Sequence, residues 1–217
     1  MASIIIASTT STSGLVQTAD ASGVLQLQSN GVTGLTVDTA ANVTVNTNLT
    51  VTGNISTGRG TVTALLSGTA QATTSGTSID FTGIPSWAKR ITVMFNGVSK
   101  NGTTTIIIQM ITASGAVTSG YLGTGGSGGA SNAGTLYTTG FGVRATSAAD
   151  VVYGHAILTL FDSTNTWIGS GQFGLSNAAY TNNFGGSVTL SGPVTGVRIT
   201  TTGADTFDAG SVNIMYE

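Results

Sequence analysis

From Leu25 onward the apolar residues keep to one parity. Leu25, Leu27, Leu35, Val37, Val43, Val45, Leu49, Val51 and Ile55 are odd-numbered, while Gln26, Gln28, Asn30, Asp38, Asn42, Asn46, Asn48 and Asn54 are even-numbered, with Val24 and Val32 as exceptions. A period of two is that of an extended strand, whose side chains alternate between faces. Between Val37 and Gly60 the pattern divides into the six-residue units VDTAAN, VTVNTN, LTVTGN and ISTGRG, which close on Asn42, Asn48, Asn54 and Gly60. Asn and Gly enter the left-handed backbone region most cheaply and so permit a turn at a fixed place. Six is even, so each unit returns its aliphatic residues to the same face, as in a stacked β repeat. A single ribbon would leave that edge wet, and exposed apolar stripes aggregate. Identical ribbons that bury their stripes around an axis avoid this, most naturally as three copies. Leu25 to Gly60 therefore predicts a slender homotrimeric β-shaft, and both an extended and a wound, spiral-like form fit.

After Arg59 to Thr63 the texture changes, and strand candidates become longer and richer in Ile, Phe and Met. The pattern predicts strands over Arg90 to Ser99, Thr104 to Ala113, Val152 to Asp162, Trp167 to Ser176, Gly185 to Ser191, Val194 to Thr202 and Ser211 to Glu217. Ile91, Val93 and Phe95 share one parity and point inward, as do Val212, Ile214 and Tyr216. The continuous runs Ile106 to Ile108 and Ala156 to Leu158 call for cover on both faces, with a neighbouring subunit as one candidate cover. Asn101-Gly102 reads as a hairpin turn, and Pro85 to Arg90 as a turn that drops Trp87 over one end of the core. No segment reads as a helix. The organisation expected is all-β: residues 1–23 an N-terminal attachment segment, 24–62 the shaft, and 63–217 a β-sandwich, jelly-roll-like head.

Composition narrows the function. Only 6% of the 217 residues are charged, against about 25% in average proteins, while Gly numbers 32 and Pro two. Hydroxyls and amides, rather than ions, make this surface polar. The net charge is −2, and Arg59, Lys89, Arg90, Lys100, Arg144 and Arg198 are scattered, which argues against nucleic acid as a partner. There is no cysteine and hence no disulfide framework. The opening MASIIIAS lacks the basic region and apolar length of a signal peptide, and no stretch approaches the ~20 apolar residues of a membrane span. The chain is expected to be made in the cytoplasm without membrane insertion.

Catalytic chemistry finds little support. His155 is the single histidine and reads as a structural or surface imidazole. No Gly-x-Ser-x-Gly elbow frames a nucleophile. Asp205 and Asp208 read as turn formers rather than calcium ligands. The expectation is no enzyme, no metal and no cofactor. Binding is the stronger prospect, in two stretches that read as loops. One is YLGTGGSGGASNAGTLY, bracketed by Tyr121 and Tyr137; the other is SNAAYTNNF, carrying Asn177, Tyr180, Asn182 and Asn183. Aromatic faces beside amides suit sugars.

FTGIPSWAKRITVMFNGVS, Phe81 to Ser99, resembles a segment of tailed-bacteriophage tail fibres and related virion appendages, and LTVDTAANVTV and LTVTGNIST are similar to the shaft repeats of such fibres. The resemblance implies a virion location, a homotrimer held to other virion proteins through its N-terminal segment, and a head that contacts a bacterial surface glycan. A capsid head fibre or decoration protein with a purely structural role is the alternative.

Overall fold

The computed structural model describes residues 22–29, 31–46, 48–52, 55–57, 60–62, 65–129 and 133–217. The chain divides into two compact units, Met1–Val62 and Thr63–Glu217. The protein is all-β, with no helix among the described residues. The expected attachment segment, 1–23, lies outside the described residues except for Ser22 and Gly23.

In the first unit, β1 (Leu25–Ser29), β2 (Val32–Val37) and β3 (Val43–Val45) form an antiparallel meander. Leu25 lies opposite Val37 and Val37 opposite Val43, while Leu27 lies opposite Leu35 and Leu35 opposite Val45. Residues directly opposite one another share a face, so the shared parity becomes a block of six aliphatic side chains. Leu25, Leu27 and Val43 are 43%, 49% and 62% exposed there. The reverse face carries Gln26, Thr36 and Thr44, and Gln28 Nε2 donates to Gln26 Oε1 and to Thr33 Oγ1, each at 3.2 Å.

The six-residue units are not equivalent. The first ends in a turn where Asp38 accepts the N–H groups of Ala40 and Asn42 and the Asn42 side-chain amide, each at 2.9 Å. That amide bond above all holds Asp38 below the ordinary carboxylate range. The left-handed residue is Ala41, at φ 63°, rather than the expected Asn42. With its amide bound to Asp38, Asn42 fixes the turn from its side chain. Leu49 to Val51 lies outside any strand, whereas Ile55 opens β4 (Ile55–Thr57), which pairs with β5 (Gly60–Val62) as a separate two-stranded ribbon.

The second unit holds β6 (Leu66–Ser67), β7 (Gln71–Ala72), β8 (Ser78–Thr82), β9 (Arg90–Lys100), β10 (Ile106–Thr112), β11 (Gly115–Ala116), β12 (Leu122–Gly129) and β13 (Ala133–Tyr137). It continues with β14 (Phe141–Val143), β15 (Val152–Leu160), β16 (Thr166–Leu175), β17 (Tyr180–Thr189), β18 (Val194–Thr201) and β19 (Phe207–Tyr216). One sheet of nine strands runs β13-β12-β17-β16-β15-β9-β19-β6, with β7 also on β19. A second, of five, runs β11-β10-β18-β8, with β14 also on β10. This unequal division differs from the eight-stranded jelly roll.

The two sheets enclose one core. Ile91, Val93, Phe95, Val212 and Ile214 face inward as their parity requires, against Ile106, Ile108, Met110, Val197 and Ile199 from the other sheet. Ile106, Ile107 and Ile108 are all buried. The outer cover comes from this chain itself, since Gly140 sits on Ile107 and Gln109 Nε2 donates to Thr139 O at 2.8 Å. Trp87 is 43% exposed and lies 6.0 Å from the Tyr216 ring, centroid to centroid, capping the edge of the core.

Asn101-Gly102 does not make a hairpin. β9 pairs with β15 and β19, whereas β10 pairs with β11, β14 and β18, so the turn carries the chain from one sheet to the other. The β18 to β19 connection makes the reverse crossing alongside, and polar bonds clamp the two corners. Asn101 and Thr206 exchange two hydrogen bonds of 3.0 Å, and Thr202 N–H donates to Thr105 O at 2.8 Å. Asp205 Oδ2 accepts from Thr104 Oγ1 at 2.6 Å and Thr104 N–H at 2.7 Å, bonds that hold its carboxyl below the ordinary range. Asp208 accepts from Ser99 Oγ. Both acids thus serve the corners.

Candidate ligand-binding groove

The glycine-rich stretch between Tyr121 and Tyr137 is not a loop but the strand pair β12 and β13, because tertiary packing requires its glycines. Gly125 faces inward, where a side chain would meet the Tyr137 ring and the Gly142 and Asn183 backbones. Both bracketing tyrosines are core residues, 1% and 5% exposed, and neither presents a ring to a ligand. Tyr121 packs edge-on against Phe141 at 5.1 Å, and its hydroxyl oxygen accepts the Met110 N–H at 2.8 Å.

Burial pushes the Tyr121 phenol up to about 12, against an ordinary 10.0. A phenol whose folded pKa is raised contributes stability that is complete below the unfolded pKa and lost as pH rises through the folded one. Urea midpoints are therefore expected to fall between pH 10 and 12, on the order of 2 to 3 kcal/mol in all, and Tyr121→Phe is expected to flatten that part of the profile. An unchanged alkaline slope in Tyr121→Phe would refute the assignment.

The second expected loop is mostly strand. Only residues 176–179 form the turn, and β17 begins at Tyr180. Its alternation sorts the amides: Asn182 points into the core with Phe184 and Val188, while Thr181 and Asn183 face out. Asn182 is 1% exposed, and neither its oxygen nor its nitrogen has a hydrogen-bond partner among the described residues. Asn177 pins the turn, accepting from Val151 N–H at 3.2 Å and donating to Ala149 O. The Tyr180 hydroxyl lies 3.4 Å from both oxygens of the buried Asp150. Partial burial, and then the Asp150 charge, raise the Tyr180 pKa, so this phenol stays neutral at neutral pH.

Against this turn lies an open groove of about 580 Å³, lined by Gly128, Gly129, Gly174, Leu175, Ala178, Ala179, Tyr180 and Thr181. Register explains its floor. Gly128 pairs with Thr181, Thr181 with Gly174, and Gly174 with Tyr153, a row across the outer face of β12, β17, β16 and β15. At Gly128 and Gly174 nothing lies within 4 Å of where a side chain would begin, so backbone forms the floor. The next row of the same face carries Gly126, Asn183, Gln172, His155, Met94 and Asn213. Asn183, Gln172 and His155 are exposed. The groove offers apolar contact and a hydroxyl, with amides and an imidazole beside it, and no lining residue is charged at neutral pH. Among the described residues no group of three or more His, Asp or Glu is placed to hold a metal.

Of the six residues singled out from sequence, the structure brings Asn177, Tyr180 and Asn183 to this region and puts Tyr121, Tyr137 and Asn182 inside. Gly128, Gly174, Gln172 and His155 were not among them. The inward parity of Phe184 and Val188, extended back through SNAAYTNNF, would have separated Asn182 from Asn183. Comparison with known proteins finds no matching family model, curated sequence or solved structure.

Proposed function

We propose that this chain is a structural protein of a tailed-bacteriophage virion, a tail-fibre-like homotrimer whose second unit contacts the host surface through a glycan. The observation that carries the reading is the meander of the first unit, which gathers six aliphatic side chains on one face, Leu25, Leu27 and Val43 of them exposed and the other three half-buried, with amides and hydroxyls on the reverse face. A face of that kind is an assembly surface, and three copies around an axis bury it in a closed, symmetric contact. The groove supplies the binding half. A pyranose ring laid on its neutral floor makes apolar contact, while Thr181, Asn183 and Gln172 offer hydrogen bonds to hydroxyls. Three identical weak sites per fibre raise avidity without further contacts.

Purified full chain is expected to bind envelope polysaccharide of the host bacterium. Gly174→Val, which fills the groove floor, is expected to weaken that binding about tenfold, the loss of roughly 1.4 kcal/mol. Equal binding by both proteins would remove the groove from the reading. The alternative, a capsid fibre or decoration protein without a receptor, draws on the groove's lining, where Tyr180 and Thr181 are the only polar side chains. Labelling of intact particles with an antibody to the chain separates the two by location.

A further inference from the structure

We propose that Lys100 and Asp205 become joined by an intramolecular isopeptide bond, formed without a partner enzyme where the two inter-sheet corners meet. Lys100 is 0% exposed, and lysine is almost never fully buried unless paired. An ammonium has three donors, yet among the described residues Nζ has one hydrogen-bond acceptor, the Gly102 carbonyl oxygen at 2.6 Å. Asp205 Oδ2, at 3.9 Å, is within ion-pair range but past hydrogen-bond length. A secondary amide has a single N–H, and Gly102 O is already placed to accept it.

The acid side fits the same product. The two Thr104 donors on Oδ2 match the two lone pairs of an amide carbonyl oxygen, whereas Oδ1 accepts no hydrogen bond from the described residues. Gly102 permits the approach, because a side chain there would occupy the space of the Asp205 carboxyl. Oδ2 becomes the amide oxygen and Oδ1 is the atom that leaves.

The step balances without an oxidant or cofactor. A proton passes from Nζ to Oδ1, and the freed lone pair attacks Cγ to form the N–C bond. Negative charge develops on Oδ2, between the Thr104 N–H and Oγ–H, as in an oxyanion hole. A second Nζ proton then passes to Oδ1, the Cγ–Oδ1 bond breaks, and water departs past the Asp205 side chain, which is 19% exposed. Ammonium plus carboxylate give one amide and one water. Burial pushes Lys100 down toward the neutral amine that attacks. The Thr104 bonds oppose protonation of Asp205 at rest, so the reaction is slow, and it turns over once.

The intact mass of the purified full chain, incubated at neutral pH and then denatured, is expected to be one water below the sequence mass. Tryptic digestion is expected to leave the Lys100 bond uncut and yield one branched peptide joining that segment to the one after Arg198. Lys100→Arg and Asp205→Ala are expected to show the full sequence mass, and Thr104→Val to slow the loss. Folded wild-type chain at the full sequence mass overturns the proposal. So does loss of water without the branched peptide, which would mark a cyclised aspartate.

Discussion

Leu35→Asp is expected to convert the proposed trimer of the full chain into monomers. Leu35 is the middle member of the row Leu27, Leu35 and Val45, at the centre of the meander's apolar face. In the proposed trimer three copies of the carboxylate would be held in an apolar contact, each costing several kcal/mol without a partner. At 1.4 kcal/mol per decade the association constant falls by about a thousandfold or more. Light scattering at micromolar concentration reads the change directly. The second unit is expected to stay folded in the variant, because its core contains no residue of the meander. Circular dichroism and thermal melting check that. A variant that remains trimeric, or a wild-type chain that is monomeric, would remove assembly through this face and the fibre reading with it.

Phe184→Ala is expected to cost the second unit about 3 to 5 kcal/mol, the range for removing a buried aromatic ring. The ring is 6% exposed and stacks on Phe141 at 5.7 Å and on Phe173 at 6.2 Å, linking a strand of the smaller sheet to two of the larger. Gly171 sits against it without a side chain, because one would collide with the Phe184 and Phe173 rings. Truncation therefore opens a cavity that a backbone-floored neighbour cannot fill. For a unit of this size each kcal/mol shifts Tm by roughly 2 to 4 °C, so a fall of about 10 °C is expected. Phe161→Ala, at a ring 72% exposed, is the control and should move Tm little.

The groove shows where sequence reasoning misled. Glycine runs predict loop because glycine lacks strand propensity. In β12 that absence of side chains serves packing: Gly125 admits the Tyr137 ring, and Gly128 opens the outer floor. Tyr121, just before β12, and Tyr137, the last residue of the edge strand β13, are core residues because alternation along extended backbone turns both rings inward. Asn182 and Asn183 differ by one position and by one face, which composition cannot distinguish. Asn101-Gly102 is a turn but not a hairpin, because, β11 apart, the partners of β9 and β10 come from 33 to 125 residues further along.

The sequence alone determined the all-β class, the change of texture near Thr63 and the inward parity of Ile91, Val93, Phe95, Val212 and Ile214, since alternation is a local property of an extended chain. Only the tertiary structure decided which strands lie side by side. It thereby decided that six aliphatics of the first unit share one face, that Asn182 is inside and Asn183 outside, and that Lys100 meets Asp205. Those outcomes depend on register between distant segments, and a hydrogen-bonding edge of backbone looks the same whatever strand it will pair with.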